Sequence, residues 1–72
     1  MRTSWDIVEG NWERFKGMVR ERWGELTDDE VDQIEGRREN LRGKIQARYG
    51  IDSGEADNEI ERWMETLEDA VD

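Results

Sequence analysis

Apolar side chains recur at every third or fourth position along most of this 72-residue chain. This spacing places them on one face of an α-helix and predicts an all-α fold, a small bundle of three to four short helices. We expect the apolar stripes to form its core, with Trp5 either capping that core or exposed as a contact residue. The stripes consist of Val8, Trp12, Phe15, Val19 and Trp23, of Ile34, Leu41, Ile45 and Tyr49, and of Ala56, Ile60, Trp63, Leu67 and either Ala70 or Val71.

Turn and cap signals predict helices near residues 4–23, 28–35, 37–49 and 54–70. Gly24 and Gly50 each follow an aromatic residue, where a glycine at positive φ is expected to end the helix. Gly36 either kinks one long helix or separates two. The segment Thr27-Asp28-Asp29-Glu30 has the form of a capping box, in which the threonine and glutamate side chains satisfy each other's backbone donors.

An internal repeat of about 26 residues is predicted from the alignment of residues 8–24 with residues 34–50. The two segments read VEGNWERFKGMVRERWG and IEGRRENLRGKIQARYG, with six identical and five conservatively related positions among 17. Two identical positions, Gly17 and Gly43, lie inside predicted helices and nearly opposite the apolar stripes. Because a glycine inside a helix costs about 1 kcal/mol relative to alanine, its recurrence needs a reason. We hypothesise that another backbone, from a neighbouring helix or a partner, approaches this face closely; the alternative is an exposed face whose glycines were inherited by duplication.

The length limits the chain to a single domain of residues 1–72. Neither a disulfide bond nor a structural zinc site is available to stabilise it, because the chain has neither cysteine nor histidine. Leu, Ile, Val and Phe supply only 13 residues, which with a net charge of −9 is typical of disordered chains. The helical period of the apolar residues and the four tryptophans favour a folded chain instead. No apolar run is long enough to span a membrane or to act as a signal peptide, so neither membrane insertion nor secretion is expected.

Charge is distributed unevenly, since residues 52–72 form an acidic C-terminal segment with nine acids and one base. That segment repels phosphate, so strong nonspecific nucleic-acid binding is not expected. Basic residues concentrate in the predicted third helix and suggest a surface for an anion or an acidic partner. The alternative is internal pairing with the acidic stretch 25–35 and with the final helix, which the small size of the bundle favours. The candidate surface consists of Arg37, Arg38, Arg42, Lys44 and Arg48.

Catalytic and metal-binding chemistry finds little support in the sequence. General acid–base catalysis near neutral pH most often uses histidine, and the chain has none. Ser4, Thr27 and Ser53 lie where helix caps are expected, Ser53 being the weaker cap, and they lack a histidine partner. The acidic clusters do not have the ligand order of a calcium loop. We therefore predict no catalytic residues, no metal site and no cofactor.

Residues 10–50 carry a family resemblance, strongest in the segments WERFKG at 12–17, WGELTDD at 23–29 and GKIQARYG at 43–50. These segments closely resemble the CsbD-like family of small bacterial stress proteins. The resemblance implies a compact helical bundle, a cytoplasmic location and expression linked to general stress, with no catalytic activity and no functional residues to transfer. We predict a non-enzymatic stress-response protein, a monomer or weak homo-oligomer whose partner the sequence does not identify. The alternative is a binding module that presents the arginine-rich helix to nucleic acid or an anionic partner.

Overall fold

Helices account for most of the computed structural model, which describes residues 5–70 with side chains through Leu67. The prediction of a small all-α bundle is confirmed, whereas the 26-residue repeat stays a prediction. The predicted cap Ser4 and the predicted core position Ala70 or Val71 lie outside the residues whose side chains are described. The helices are α1 (Trp5–Gly10), α2 (Trp12–Arg22), α3 (Asp28–Ile34), α4 (Arg38–Tyr49) and α5 (Ser53–Ala70).

Asn11 divides the predicted helix over residues 4–23 into α1 and α2, so the described residues form five helices rather than three to four. The backbone of Asn11 has φ −122° and ψ 36°, which is not helical. Its side-chain amide donates a hydrogen bond to the Ile7 carbonyl at 3.0 Å. An asparagine that bonds to nearby backbone competes with the helix, and the preceding Gly10 has a low helix propensity. The break therefore has a local cause that the apolar spacing does not report.

Gly36 separates α3 from α4 rather than kinking one long helix. Glu35 and Gly36 both adopt the left-handed conformation, with φ values of 54° and 76°. Two successive residues at positive φ cannot continue a right-handed helix, so the chain turns before α4 begins.

The capping box before α3 is confirmed. The Thr27 hydroxyl accepts from the Glu30 backbone N–H at 3.1 Å, and the Glu30 carboxylate accepts from the Thr27 backbone N–H at 3.0 Å. The predicted cap at Ser53 is wrong, because Ser53 is already the first residue of α5. Asp52 takes the capping position, and its carboxylate accepts from the Glu55 backbone N–H at 2.7 Å.

The two predicted glycine ends turn out differently. Gly50 ends α4 at φ 65°, as predicted, and its N–H donates to the Gln46 carbonyl at 3.0 Å. The prediction for Gly24 is wrong, because Gly24 does not have a positive φ. The chain after α2 instead bends through a turn in which the Leu26 N–H donates to the Trp23 carbonyl at 3.1 Å.

The core combines most of the predicted stripes with three residues that the stripes do not contain. Trp12 and Phe15 are only half-buried at its edge, and Tyr49 is 37% exposed, so the placement of Tyr49 in the core is wrong. Trp5 is half-buried and packs on the core. The additional buried residues are Leu26, Val31 and Met64, which join Val8, Val19, Trp23, Ile34, Leu41, Ile45, Ala56, Ile60, Trp63 and Leu67.

Trp63 on α5 is the centre of an aromatic cluster that joins α1, α2 and α5. Its ring centroid lies 5.5 Å from that of Trp23, 6.3 Å from that of Phe15 and 6.4 Å from that of Trp5. Tilted and edge-to-face pairs at such distances are the favoured arrangements of aromatic side chains. None of the helices within residues 5–70 is long and apolar enough to cross a membrane.

Candidate functional site

Three arginines of the predicted basic surface form ion pairs with the neighbouring helices. Arg48 meets Glu30 of α3 at 3.0 Å. On the other side of α4, Arg42 meets Asp57 of α5 at 3.4 Å and Arg38 meets Glu61 at 3.2 Å. The acidic stretch before α4 and the acidic helix after it thus supply counter-charges to three of the five candidate residues.

The remaining two basic residues of the candidate surface, Arg37 and Lys44, have no acidic partner within the described residues. Lys44 donates a hydrogen bond to the neutral side chain of Gln33. Arg37 is exposed at the N-terminal cap position of α4, where its guanidinium, which has only donors, cannot accept from the first backbone N–H groups of the helix. The positive charges of this surface that are not paired with an acid of the described residues are therefore those of Arg37, directly before α4, and of Lys44.

Glu30 combines two roles, because it belongs both to the capping box and to the ion pair with Arg48. The Thr27 backbone N–H is the larger cause, and the Arg48 guanidinium the second, of a pKa of Glu30 below its ordinary value. The same pair raises the pKa of Arg48. Glu30 is consequently held in its ionised form, and it connects the start of α3 to the end of α4.

Helix α2 is connected to other helices by the same kind of contact. Lys16 pairs with Asp32, and Arg20 pairs with Asp28, both across the groove between α2 and α3. The hydrogen bond to Asp32 is the main cause of a raised pKa of Lys16. Charge complementarity between α2, α3, α4 and α5 is therefore distributed through the bundle rather than confined to the arginine-rich helix.

A shallow surface depression lies where α1 meets the start of α4. Two glutamates line it together with three arginines, so it presents both signs of charge. The residues are Trp5, Glu9, Arg37, Arg38, Glu39 and Arg42.

Gly17 and Gly43 are exposed, and a Cβ built on either would find no atom of the described residues within 4 Å. The hypothesis that a neighbouring helix of the same chain approaches them is therefore wrong. The form of the hypothesis in which a partner approaches stays a prediction. Ion pairs from flanking residues, such as Lys16 to Asp32, hold the helices together without bringing their backbones close at this point.

The close backbone approach occurs at Gly36 instead. Gly36 is buried, and a Cβ there would lie 3.4 Å from both the Cα and the carbonyl oxygen of Glu9. The Gly36 carbonyl also accepts a hydrogen bond of 2.8 Å from the Trp5 indole N–H. This contact was not predicted from the sequence. The available signal was Gly36 itself, for which the apolar pattern did not decide between a kink and a break between two helices.

Within the described residues, no group of three acidic, cysteine or histidine side chains is arranged to hold a metal ion. The hydroxyl groups with defined partners serve the backbone. That of Thr27 accepts in the capping box, and that of Thr66 donates to the Trp63 carbonyl at 2.6 Å. The hydroxyl groups of Thr27 and Thr66, which are the kind of group that can act as a nucleophile, are thus engaged in hydrogen bonds with the backbone of helices.

Comparison with known proteins places the chain among small bacterial proteins. It is 52% identical over 63 residues to the UPF0337 protein RPA4217 of Rhodopseudomonas palustris, a match covering 88% of this chain and 96% of that protein. It is also 52% identical over 58 residues to the UPF0337 protein YjbJ of Escherichia coli, covering 81% and 84% of the two chains. No solved structure matches. A profile described as CsbD-like matches residues 6–58, and the chain belongs to the CsbD-like family.

Proposed function

We propose that this protein is a non-enzymatic stress-response protein that acts through its abundance or through association with a partner. The observation that carries the proposal is the match of residues 6–58 to the CsbD-like family, and the pairing of Arg38, Arg42 and Arg48 with acids of the same chain weighs against the nucleic-acid alternative. A surface whose cations are already paired attracts phosphate weakly, which argues against a dedicated nucleic-acid site. The resemblance to small bacterial stress proteins supports the cellular setting.

The arrangement of polar side chains supports a role without catalysis. General acid–base chemistry needs a proton-transfer group with a pKa near the working pH, and it needs that group beside a reactive partner. The shifted groups here move away from that range, since the pKa of Glu30 is lowered and those of Lys16 and Arg48 are raised. We place the protein in the cytoplasm, as a monomer or weak homo-oligomer.

Two measurements test this proposal. The first is a panel of hydrolase and transferase assays on the purified chain, for which we expect no turnover above that of a heat-unfolded sample. The second is a comparison of survival under several stresses between cells that carry and lack the gene. Reproducible turnover that is lost on mutation of a single residue would overturn the non-enzymatic reading, and unchanged survival under every stress would overturn the stress role.

A second candidate function is a binding module for an anionic partner, and the position of Arg37 favours it. Arg37 is exposed and forms no ion pair with the described residues, and it shares the depression beside Trp5 with Arg38 and Arg42. Each guanidinium carries five N–H donors, and the hydrogen bonds of Arg42 with Asp57 use only one of its nitrogens. Such a module would bind a small or peptide anion at this end of α4 rather than along the whole helix.

Salt dependence tests the second candidate. Binding of a labelled single-stranded oligonucleotide and of a phosphorylated peptide is measured by anisotropy between about 50 and 200 mM salt. A binding module predicts affinity that falls steeply with salt and that Arg37→Ala reduces. The matched control is Arg14→Ala, which removes an exposed arginine of α2. Absence of binding at the lowest salt, or equal losses in the two variants, contradicts a site at Arg37.

A further inference from the structure

We infer that α1 is a detachable strap, a helix that opens as a unit at Asn11 while α2–α5 stay folded. The strap comprises residues Trp5–Gly10. Besides the aromatic contacts of Trp5 with Trp12 and Trp63, three contacts join it to the rest of the bundle. The Trp5 indole donates to the Gly36 carbonyl at 2.8 Å, Val8 is fully buried, and the backbone of Glu9 lies against Gly36.

Ion pairs distinguish the strap from the other helices. Within the described residues, α2 is paired with α3, α3 with α4, and α4 with α5, and Arg22 of α2 also reaches Glu59 of α5 at 3.4 Å. None of the ion pairs formed by the described residues includes Asp6, Glu9 or any other residue of the strap. Opening the strap therefore leaves every one of those pairs intact.

The chain around Asn11 suits a hinge. The strap has six residues, and helices of this length are not stable without tertiary contacts. It is joined to α2 through one non-helical residue, and a Cβ built on the adjacent Gly10 meets no atom within 4 Å. Gly10, which has no side chain to restrict its backbone angles, and the non-helical Asn11 are therefore the positions where the chain can change direction.

The surface beneath the strap is aromatic, and one of its hydrogen-bond donors has no partner among the described residues. The Trp5 ring lies 6.5 Å from that of Trp12 and 6.4 Å from that of Trp63. The Trp12 indole N–H is buried and finds no acceptor among the described residues. Because a buried donor without a partner is costly, exposure of Trp12 to water offsets part of the loss when the strap opens. The opened form presents the Trp12 and Trp63 indoles to solvent. Opening of the strap is a property beyond the proposed function and does not depend on it.

Hydrogen exchange tests the strap in the full chain. Exchange of two protons is followed by NMR at several low urea concentrations: that of the Trp5 indole N–H, and that of the Asn11 backbone N–H, whose bond to the Ile7 carbonyl is lost because so short a helix melts once it is detached. Global unfolding is followed by circular dichroism in the same solutions. A strap predicts that both protons exchange at least about tenfold faster than global unfolding allows, with a weaker dependence on urea because opening exposes less surface. Exchange at the rate and urea dependence of global unfolding would overturn the inference.

Two glycine variants supply a matched comparison. Gly36→Ala and Gly50→Ala both place alanine at positive φ, but only the first adds a methyl group against the strap, because the Cβ at residue 50 meets nothing within 4 Å. We expect Gly36→Ala to raise the exchange of the Trp5 indole, relative to global unfolding, by a further factor of about ten, and Gly50→Ala to leave that ratio unchanged. An equal ratio in the two variants contradicts the strap. If Gly36→Ala does not fold, the wild-type urea series decides the question alone.

Discussion

The ends of α2 and α4 carry nearly the same residues and form different structures. An aromatic residue followed by glycine stands at each end: Trp23-Gly24 comes directly after α2, and Tyr49 is the last residue of α4 and precedes Gly50. After α2 the chain turns without a left-handed glycine, and Trp23 is fully buried. After α4 the left-handed Gly50 ends the helix and leaves Tyr49 at the surface.

The difference follows from what each aromatic side chain can reach. Trp23 packs 5.5 Å from Trp63, and its indole N–H donates to Glu59 at 2.9 Å, so both its ring and its polar atom are satisfied. Leu26 then enters the core three residues later. The Tyr49 hydroxyl instead accepts from the Glu25 backbone N–H at 3.2 Å, in the turn that follows α2. The exposed end thus supports the buried one, and the two similar motifs have complementary rather than equivalent roles.

Truncation of the two aromatic residues should give the largest contrast. Trp23→Ala removes a fully buried ring and leaves a cavity, so we expect a loss of roughly 3–5 kcal/mol, enough to unfold so small a domain. Tyr49→Ala removes a partly exposed ring and one hydrogen bond, and it should cost about 1 kcal/mol. Urea unfolding followed by circular dichroism measures both. A cooperative transition in Trp23→Ala with a loss similar to that of Tyr49→Ala would show that the two ends are energetically alike.

Substitution of the two glycines should give a smaller contrast. Alanine should cost more stability at Gly50, which has a positive φ, than at Gly24, which does not. Gly50→Ala forces an alanine into the left-handed region and should cost about 1 kcal/mol. Gly24→Ala needs no such conformation, and its nearest neighbour is the Arg20 carbonyl oxygen at an ordinary 3.8 Å, so its effect should stay within about 0.5 kcal/mol. The difference in unfolding free energy between the two variants is the relevant quantity. Equal losses contradict the assignment of different turns.

The two glycines inside helices, one in α2 and one in α4, should change the stability alike when they are replaced by alanine. Gly17 and Gly43 are exposed and have open space where a Cβ would lie. Gly17→Ala and Gly43→Ala should therefore each stabilise the chain by up to about 1 kcal/mol through helix propensity. Sedimentation of the same samples tests whether a partner copy approaches this face. Destabilisation or a changed oligomeric state in either variant would locate a contact surface there.

The smallest effect concerns Glu30, which starts the helix after the buried end and holds the arginine of the exposed one. Its lowered pKa means that it stabilises the fold at pH values above the ordinary glutamate pKa of about 4.3, and that this contribution disappears as the pH falls through the lower folded pKa. Glu30→Gln keeps the capping acceptor but removes the charge. We expect the stability difference between wild type and Glu30→Gln to be present at neutral pH and to vanish in acid, measured by urea unfolding at several pH values.

Glu65→Gln provides the control for the change in net charge, because Glu65 is exposed on α5 and forms no ion pair with the described residues. If Glu65→Gln lowers stability at neutral pH as much as Glu30→Gln does, the effect belongs to net charge rather than to the contacts with Thr27 and Arg48.

Local signals in the sequence determined most of the secondary structure. The turn and cap signals located α3, α4 and α5 to within a residue, and the Thr27 capping box forms as its residues predict, because helices and caps depend on contacts between residues three or four positions apart. The break at Asn11 was also local, but its signal, one asparagine after one glycine, was weaker than the apolar stripe that runs through it.

Only the tertiary structure decided which members of similar motifs are buried and which charges are paired. Trp23 and Tyr49 differ in burial because α5 covers the first and leaves the second open, and no pattern within either helix records that. The pairing of Arg48 with Glu30 likewise joins residues 18 positions apart. The close approach expected at Gly17 and Gly43 occurs at Gly36, since the position of a glycine in a helix is a local property but the backbone that crosses it comes from elsewhere in the chain.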